Sequence, residues 1–333
     1  MKASPTHPIY TAYLNARRTG KKYNLSTLTL SLQLSESDSE FAQKCTIVVA
    51  QIFIDGHYLH YIVQPRDRVF VYADTGEGAK EVFRGYVWEK PYSSRTEKEL
   101  TLICYDGLIY MQESQDSKFF SAGKSTESIM SSLCESWGVG LTYNYDSITH
   151  PKLPVSGYLA DIIKTDLLDE VKKQTGKKYV LYSEADKLIV EHLGFNDTVY
   201  QINSKQNAIY TKSVETMSGV VTKVIITGKE DKDERVSIEA TIEGDTASYG
   251  TVQKVITAGE GTELDEAKAE AEEMIKENGK PKRTYNVNAV DIPWLRRGHV
   301  VKIAAGDMTE KYIVTGITHD AGKKTMDIDL EDE

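Results

Sequence analysis

The chain has 333 residues, 40% hydrophobic and 27% charged, with 23 Gly and 8 Pro, a composition that excludes a disordered or collagen-like polypeptide and a length that favours two or three globular domains. Forty Lys and Arg against fifty Asp and Glu leave a net charge of −10, which excludes a protein that wraps duplex nucleic acid by charge alone. Twenty of the thirty aromatic residues are Tyr, a bias toward half-buried strands with one wet end rather than an apolar helical core.

In chain order, apolar residues alternate through Leu28, Leu30, Leu32 and Leu34, then Ile47 and Val49, then Ile52 and Ile54, the period of strands with one buried face. Asp55-Gly56 marks a turn into a further strand, Tyr58 to Val63. Arg68 to Tyr72, Glu81 to Trp88 and Glu97 to Tyr105 repeat the pattern, which places about six strands before residue 110.

Near residue 120 the period lengthens. Ile129, Met130, Leu133, Cys134 and Trp137 fall at helical spacing behind a Ser125 cap, with Gly138 as the stop. A second helix, from Thr165 or slightly earlier to Gln174, carries Ile162, Ile163, Leu167, Leu168 and Val171 on its apolar side and ends at Gly176. The strand pair Lys178 to Tyr182 and Leu188 to Leu193 turns at Glu184 to Lys187.

Strands resume at Val220 to Thr227, Val236 to Ile242 and Thr251 to Ile256. Glu263 to Asn278 is a third helix, with Thr262 and Asp265 as a capping box and Asn278-Gly279-Lys280-Pro281 as its end. The tail gives strands at Thr284 to Val290, Val300 to Ala304, Lys311 to Thr318 and Thr325 to Leu330. The expected fold is mainly β with an α+β insertion: a first small β-barrel at residues 1–115, a helix-bearing domain at 116–210, and a second, similar barrel at 211–333 interrupted by the helix at 263–278.

An internal repeat supports the paired barrels. Arg68-Val69-Phe70-Val71, a loop, then Phe83-Arg84-Gly85-Tyr86-Val87 matches His299-Val300-Val301-Lys302, a loop, then Val314-Thr315-Gly316-Ile317. Val69 to Gly85 and Val300 to Gly316 are equally spaced, and each block leads to another alternating strand, which is the signature of duplication. Val69, Gly85, Val300 and Gly316 are therefore the repeat's structural positions. A glycine inside a strand marks a bulge or a close backbone approach.

Signals of chemistry are weak. Cys45, Cys104 and Cys134 form neither a disulfide framework nor a C-x-x-C site, which points to synthesis in a reducing compartment. No stretch approaches the ~20 apolar residues that span a bilayer, and Met1 to Tyr10 lacks the blocks of a signal peptide. His57 and His60 would face opposite sides of a strand and have no companion ligands nearby, so no metal site is expected. The remaining histidines, His7, His150, His192, His299 and His319, are scattered singly.

Gly123-Lys124-Ser125 resembles the end of a phosphate loop, but Lys118 stands where that motif needs glycine, and a helix cap explains it better. G-x-S-x-G, H-E-x-x-H and G-x-G-x-x-G are all absent. Asp166, Asp169 and Glu170 could serve a glycosidase only at the right separation, a condition that fifty acids make undiscriminating. The run Glu230 to Arg235 reads as a solvated loop, Met217, Met274 and Met326 as core, and Arg296-Arg297-Gly298-His299 as a charged hairpin tip. No catalytic residue and no cofactor are expected.

The order of parts carries one resemblance. A strand Asp67-Arg68-Val69-Phe70-Val71 and a strand Phe83 to Val87 lead to Cys104-Tyr105-Asp106-Gly107-Leu108-Ile109-Tyr110. A helix-bearing insertion follows, then Gly298-His299-Val300-Val301 and Tyr312 to His319. From about Tyr23 to Leu330 this resembles the baseplate hub family of contractile phage tails and phage-tail-like particles, and is similar to the hub portion of type VI secretion spike proteins. The resemblance implies a structural homotrimer made in the bacterial cytoplasm and built into the tail. Six quasi-equivalent barrels would meet the tail tube hexamer above and the spike below, with baseplate wedge proteins and the tape measure as further partners, and with neither a membrane nor sequence-specific nucleic acid among them.

Two features depart from that pattern or limit it. Gly298-His299 replaces the Gly-Asp common at the second barrel, and no cell-wall module is expected beyond Glu333. The rival readings are a particle-associated cell-wall hydrolase and a carbohydrate-binding β-protein.

Overall fold

The computed structural model describes residues 7–38, 40–91, 98–230, 236–258 and 264–333. By contacts the chain divides into two units, one comprising residues 1–211 with 286–333 and the other residues 212–285. The last segment thus belongs with the beginning of the chain, whereas the sequence pattern alone runs a single domain from 211 to 333.

The first unit opens with Ile9–Ala16 (β1), Lys21–Asn24 (β2), Thr29–Ser37 (β3) and Lys44–Ala50 (β4). Phe53–Ile54 (β5) and His57–Tyr58 (β6) form a small hairpin around Asp55 and Gly56, both at positive φ, as a tight two-residue turn requires. Leu59–Ile62 (α1) is a single helical turn. The strand expected from Tyr58 to Val63 is therefore absent, because Leu59 and Ile62 bury together at helical spacing. Arg68–Asp74 (β7), Lys80–Glu89 (β8) and Glu99–Asp106 (β9) complete the first block. β1 and β2 are additions to the expected set.

Alternation holds where a core exists to enforce it. Leu32, Leu34, Ile47, Val49, Val69, Val71, Leu102 and Cys104 face one apolar core, each worth roughly 1.5–3 kcal/mol of burial for a large side chain. Leu30 breaks phase and is exposed, because a bulge lies between Thr29 and Ser31.

The helical part follows. Ile109–Gln112 (α2), Gln115–Phe120 (β10) and Lys124–Ser125 (β11) precede Thr126–Ser136 (α3). Ser125 caps α3 by accepting from the Ser128 amide at 3.2 Å, as its sequence position predicts. Gly140–Asn144 (β12), Thr149–His150 (β13) and Leu153–Tyr158 (β14) come next. The second helix begins earlier than expected, at Leu159–Asp161 (α4), passes through a π-helical stretch at Ile162–Leu168, and ends as Asp169–Thr175 (α5) with Gly176 left-handed at its C-cap. The widened turns carry Ile162, Ile163, Leu167 and Leu168 into a second apolar core with Ile129, Leu133 and Leu188. Tyr179–Glu184 (β15) and Lys187–His192 (β16) pair around Ala185 and Asp186, both at positive φ.

Tyr200–Asn203 (β17) and Ala208–Thr216 (β18) carry the chain out of this unit. The second unit has its own sheet: Lys223–Glu230 (β19) pairs antiparallel with Val236–Glu243 (β20) and parallel with Gln253–Thr257 (β21). Thr246–Tyr249 (α6) joins β20 to β21, with Asp245 as its cap. Leu264–Asn278 (α7) packs Ala267 and Ala271 on Val224 and Ile226. The expected cap at Thr262, the helix start at Glu263 and most of the acidic run, 231–235, lie outside the described residues. Met217, expected in the core, is exposed.

Lys282–Val290 (β22) brings the chain back, and Val300–Ala304 (β23), Lys311–Asp320 (β24) and Thr325–Asp332 (β25) close it. One 13-stranded sheet runs β18-β22-β25-β24-β3-β4-β9-β8-β7-β1-β2, with β23 bonded to β24 and β17. The fold is thus mainly β with an α+β insertion, as expected, but the two blocks are not separately closed barrels among the described residues. Instead β24 of the last block bonds β3 of the first, Gly316 opposite Ser37 through Asp320 opposite Gln33.

Candidate functional site: a buried polar junction

The repeat positions lie in two three-stranded meanders, β7-β8-β9 and β23-β24-β25, within that sheet. Val69 is fully buried and stands opposite Gly85. A Cβ at Gly85 would lie 2.2 Å from the Tyr105 carbonyl oxygen, so the close approach of β9 requires glycine there. Val300 is also buried but stands opposite Ile313. Gly316 follows a bulge at Val314 and meets Asp329 and Ser37. The structure does not bring the four positions together into one site.

It does bring together residues that lie far apart in the sequence. The inward phase of β3 runs Leu32, Leu34, Glu36, which delivers a carboxylate to a core position. Glu36 Oε1 accepts from Arg296 Nε at 2.9 Å and Nη2 at 2.7 Å, and Oε2 accepts from the Arg297 amide at 3.3 Å. Arg296 also donates to the Ser183 carbonyl and lies 4.6 Å over the Tyr182 ring. Arg297 donates to the carbonyls of Ser37 and Leu181. Gly298 is left-handed at φ 83° and pressed against Val180. The Arg296 to His299 segment is therefore not an exposed hairpin tip. It is a buried clasp joining β3, β15 and the return segment.

The electrostatics follow from that burial. Desolvation pushes the Glu36 carboxyl up, but the Arg296 guanidinium, backed by Arg297 and His319, outweighs it and holds the group below its ordinary value. Asp106 is raised to about 7 by burial, against the bonds its oxygens accept from the Gln43 and Leu108 amides. His299 is lowered to about 4 by burial, with Arg296 adding to the shift. Beside the clasp, Asp291 accepts from the Tyr10 hydroxyl at 2.6 Å and lies 2.6 Å from His319 Nδ1, while His319 Nε2 faces the Leu295 carbonyl. Burial, then Asp291, raises Tyr10.

A cavity of about 290 Å³ opens at this junction, lined by Arg84, Asp106, Tyr182, Trp294, Arg296 and His299 among others. The clasp and network groups are bonded to other parts of the chain; of Arg297, only Nε lacks a partner. Such an arrangement fixes segments in register. Arg68 adds a second tie, donating to both Asp186 oxygens at 2.9 and 2.7 Å and so pinning the β15–β16 turn on β7.

The other residues weighed from sequence are dispersed. His57 lies in β6 and His60 in α1, where it bonds Gln51. Asp169 accepts from Tyr179 of β15, and Glu170 accepts from Gln174 within α5. Cys45 and Cys104 are buried opposite each other on β4 and β9 as free thiols. Among the described residues no group of three or more His, Cys, Asp or Glu is placed to hold a metal, and no helix is long and apolar enough to cross a membrane. The signal missed in the sequence is an acid in the buried phase of a strand with two adjacent arginines elsewhere to answer it.

Comparison with known proteins gives the family and the fold. The model of a family described as YQBQ-like matches residues 36–331. The chain is 25% identical over 269 residues to the uncharacterized protein YqbQ of Bacillus subtilis, and 26% identical over 259 residues to the phage-like element PBSX protein XkdQ of the same organism; each match covers 75% of this chain and 78% of the relative. Among solved structures, a tail protein from Neisseria meningitidis matches at TM-score 0.70 with 11% identity, covering 97% of both chains. The 43 kDa tail protein of prophage MuSo2 from Shewanella oneidensis matches at 0.70 with 14% identity, covering 97% of this chain and 98% of that one. At such identities these likenesses establish the fold.

Proposed function

The chain belongs to the YQBQ-like family, and from that premise we propose that it is the structural baseplate hub of a contractile tail or tail-like particle. In this reading it is a non-enzymatic homotrimer that adapts a threefold spike below to the hexameric tail tube above, with wedge proteins and the tape measure as neighbours. It is made in the bacterial cytoplasm and carried in the assembled particle.

The observation that carries the reading is the pair of three-stranded meanders set in one sheet on either side of a helix-bearing part. A subunit offering two like modules turns threefold into pseudo-sixfold symmetry, which is what a trimer facing a hexamer needs. The meanders then descend from one duplicated unit in which Val69 and Gly85 answer in sequence to Val300 and Gly316, the strand registers having since diverged so that Val69 faces Gly85 and Val300 faces Ile313, and the boundaries near 115 and 210 are those of hub modules. The phage-like element and tail proteins among its relatives support a structural part. The clasp of Glu36, Arg296 and Arg297 serves that part by holding the insertion rigidly on the sheet under load.

The test is mass in solution followed by assembly. Sedimentation of the purified chain should give a trimer, alone or on addition of a tail tube protein and a spike protein of the same particle, burying well over ~2,000 Å² in total. A chain that stays monomeric and joins neither partner overturns the proposal.

A further inference from the structure

Residues 7–35 contain no Asp or Glu at all, yet carry Arg17, Arg18, Lys21 and Lys22, a net +4 in a chain of −10. All four cations are exposed at the turn between β1 and β2. Among the described residues only Lys21 meets a carboxylate, Asp55 at 2.9 Å.

That contact ties the basic turn to a second feature. The hairpin of β5 and β6 with α1 projects Phe53, Tyr58 and Tyr61, which are 65%, 55% and 50% exposed. The rings are held in place rather than loose: Phe53 meets Tyr58 edge to face at 5.3 Å, and Asp55 accepts from Tyr23. Arg18 lies 4.0 Å over Tyr61 and donates to its carbonyl. Fixed aromatic rings beside arginine are the composition of interface hot spots, because little side-chain freedom remains to be lost on docking.

The chain also supplies the complementary surface. In α7, Glu266, Glu270, Glu273 and Glu277 recur every three or four residues and are exposed, a carboxylate stripe of roughly 16 Å at the helical rise. We infer that the Arg17–Lys22 turn and the Phe53–Tyr61 knuckle of one copy dock on the acidic face of α7 in a second copy of this chain. The contact is head-to-tail, so it does not stop at a pair, and a threefold rotation between copies closes it into the trimer. The inference rests on the trimeric reading above and names the surfaces that build the trimer.

Sedimentation velocity at about 0.1 M salt tests it on the full chain. The wild type should be trimeric, and raising salt to about 1 M should weaken association at least ~10-fold, because exposed charge pairs are screened. R17E/R18E/K22E should be monomeric at concentrations where the wild type is trimeric, with unchanged circular dichroism and Trp fluorescence. Adding E266K/E270K/E273K to that variant should restore the trimer. A triple reversal that trimerises like the wild type, or a combined variant no better than the reversal, overturns the inference and leaves the hub reading standing. A wild-type chain that remains monomeric with tube and spike present removes the trimeric reading itself, and this inference with it.

Discussion

Replacing Glu36 with Ala removes one carboxylate that satisfies three N–H groups, two on Arg296 and one on the Arg297 backbone. Breaking a buried ion pair on one side costs about 3–5 kcal/mol, since the surviving charge stays desolvated. Arg296 keeps the Ser183 carbonyl and the Tyr182 ring and is 21% exposed at its side chain, which sets the expectation at the lower end, about 3 kcal/mol, or about two orders of magnitude in the folding equilibrium. All three tryptophans, Trp88, Trp137 and Trp294, lie in the larger unit, so urea unfolding followed by their fluorescence reads its stability without reading residues 212–285. The double variant Glu36→Leu with Arg296→Met should recover to within about 1–2 kcal/mol of wild type, because a well-packed apolar pair no longer strands a charge. The folded-state shift of Glu36 is downward, so its contribution is present above about pH 4.5 and is lost as pH falls through the lower folded value. A loss below about 1 kcal/mol for Glu36→Ala, or a double variant as unstable as the sum of the singles, would refute the clasp as a structural tie.

Other expectations follow from the same junction and from the glycines. Asp106, raised to about 7, binds a proton in the folded chain that the unfolded chain has released between about pH 4 and 7, so it makes stability fall as pH rises; His299, lowered to about 4, does the reverse between about 4 and 6.5. Asp106→Asn should therefore steepen the rise of urea midpoint with pH over about 4.5–6.5 and His299→Gln should flatten it, whereas parallel curves for all three proteins would remove this assignment. Gly85→Ala should cost about 3 kcal/mol or more, its Cβ being 2.2 Å from a backbone oxygen, while Gly316→Ala, 3.2 Å from a side-chain oxygen of Asp329, should cost under about 1 kcal/mol; equal losses in thermal melts would contradict this difference in packing between the two glycines. Tyr10→Phe takes the hydroxyl donor from buried Asp291 and should cost about 1–3 kcal/mol in the same urea assay.

Much of the strand content was legible because one buried face imposes a period of two, as through Ile47, Val49, Val69 and Val71. The Ser125 cap and the Gly176 stop were legible for a local reason: each satisfies helix ends with its own few atoms. Where distant contacts decide, the pattern failed. Tyr58 to Val63 alternates well enough for a strand, yet Leu59 and Ile62 are drawn into the core as a helical turn. The clasp was invisible because Glu36 and Arg296 are 260 positions apart, and a surface reading of two adjacent arginines is the default when no partner is in sight. The return of 286–333 to the first sheet is likewise a matter of long-range pairing, which no local window contains.

The bonding of β3 to β24 bears on how the polypeptide is born. β3 ends at Ser37, while the strand that covers its edge begins at Lys311, so a ribosome adding about 5–20 residues per second leaves that edge uncovered for roughly 15–55 s. An unpaired strand edge is a template for a neighbouring chain, and on a polysome such neighbours are close at hand. Nascent chains of this protein should therefore depend on chaperone cover until about their last twenty residues emerge, and a fragment ending near residue 115 should aggregate where the full chain stays in solution.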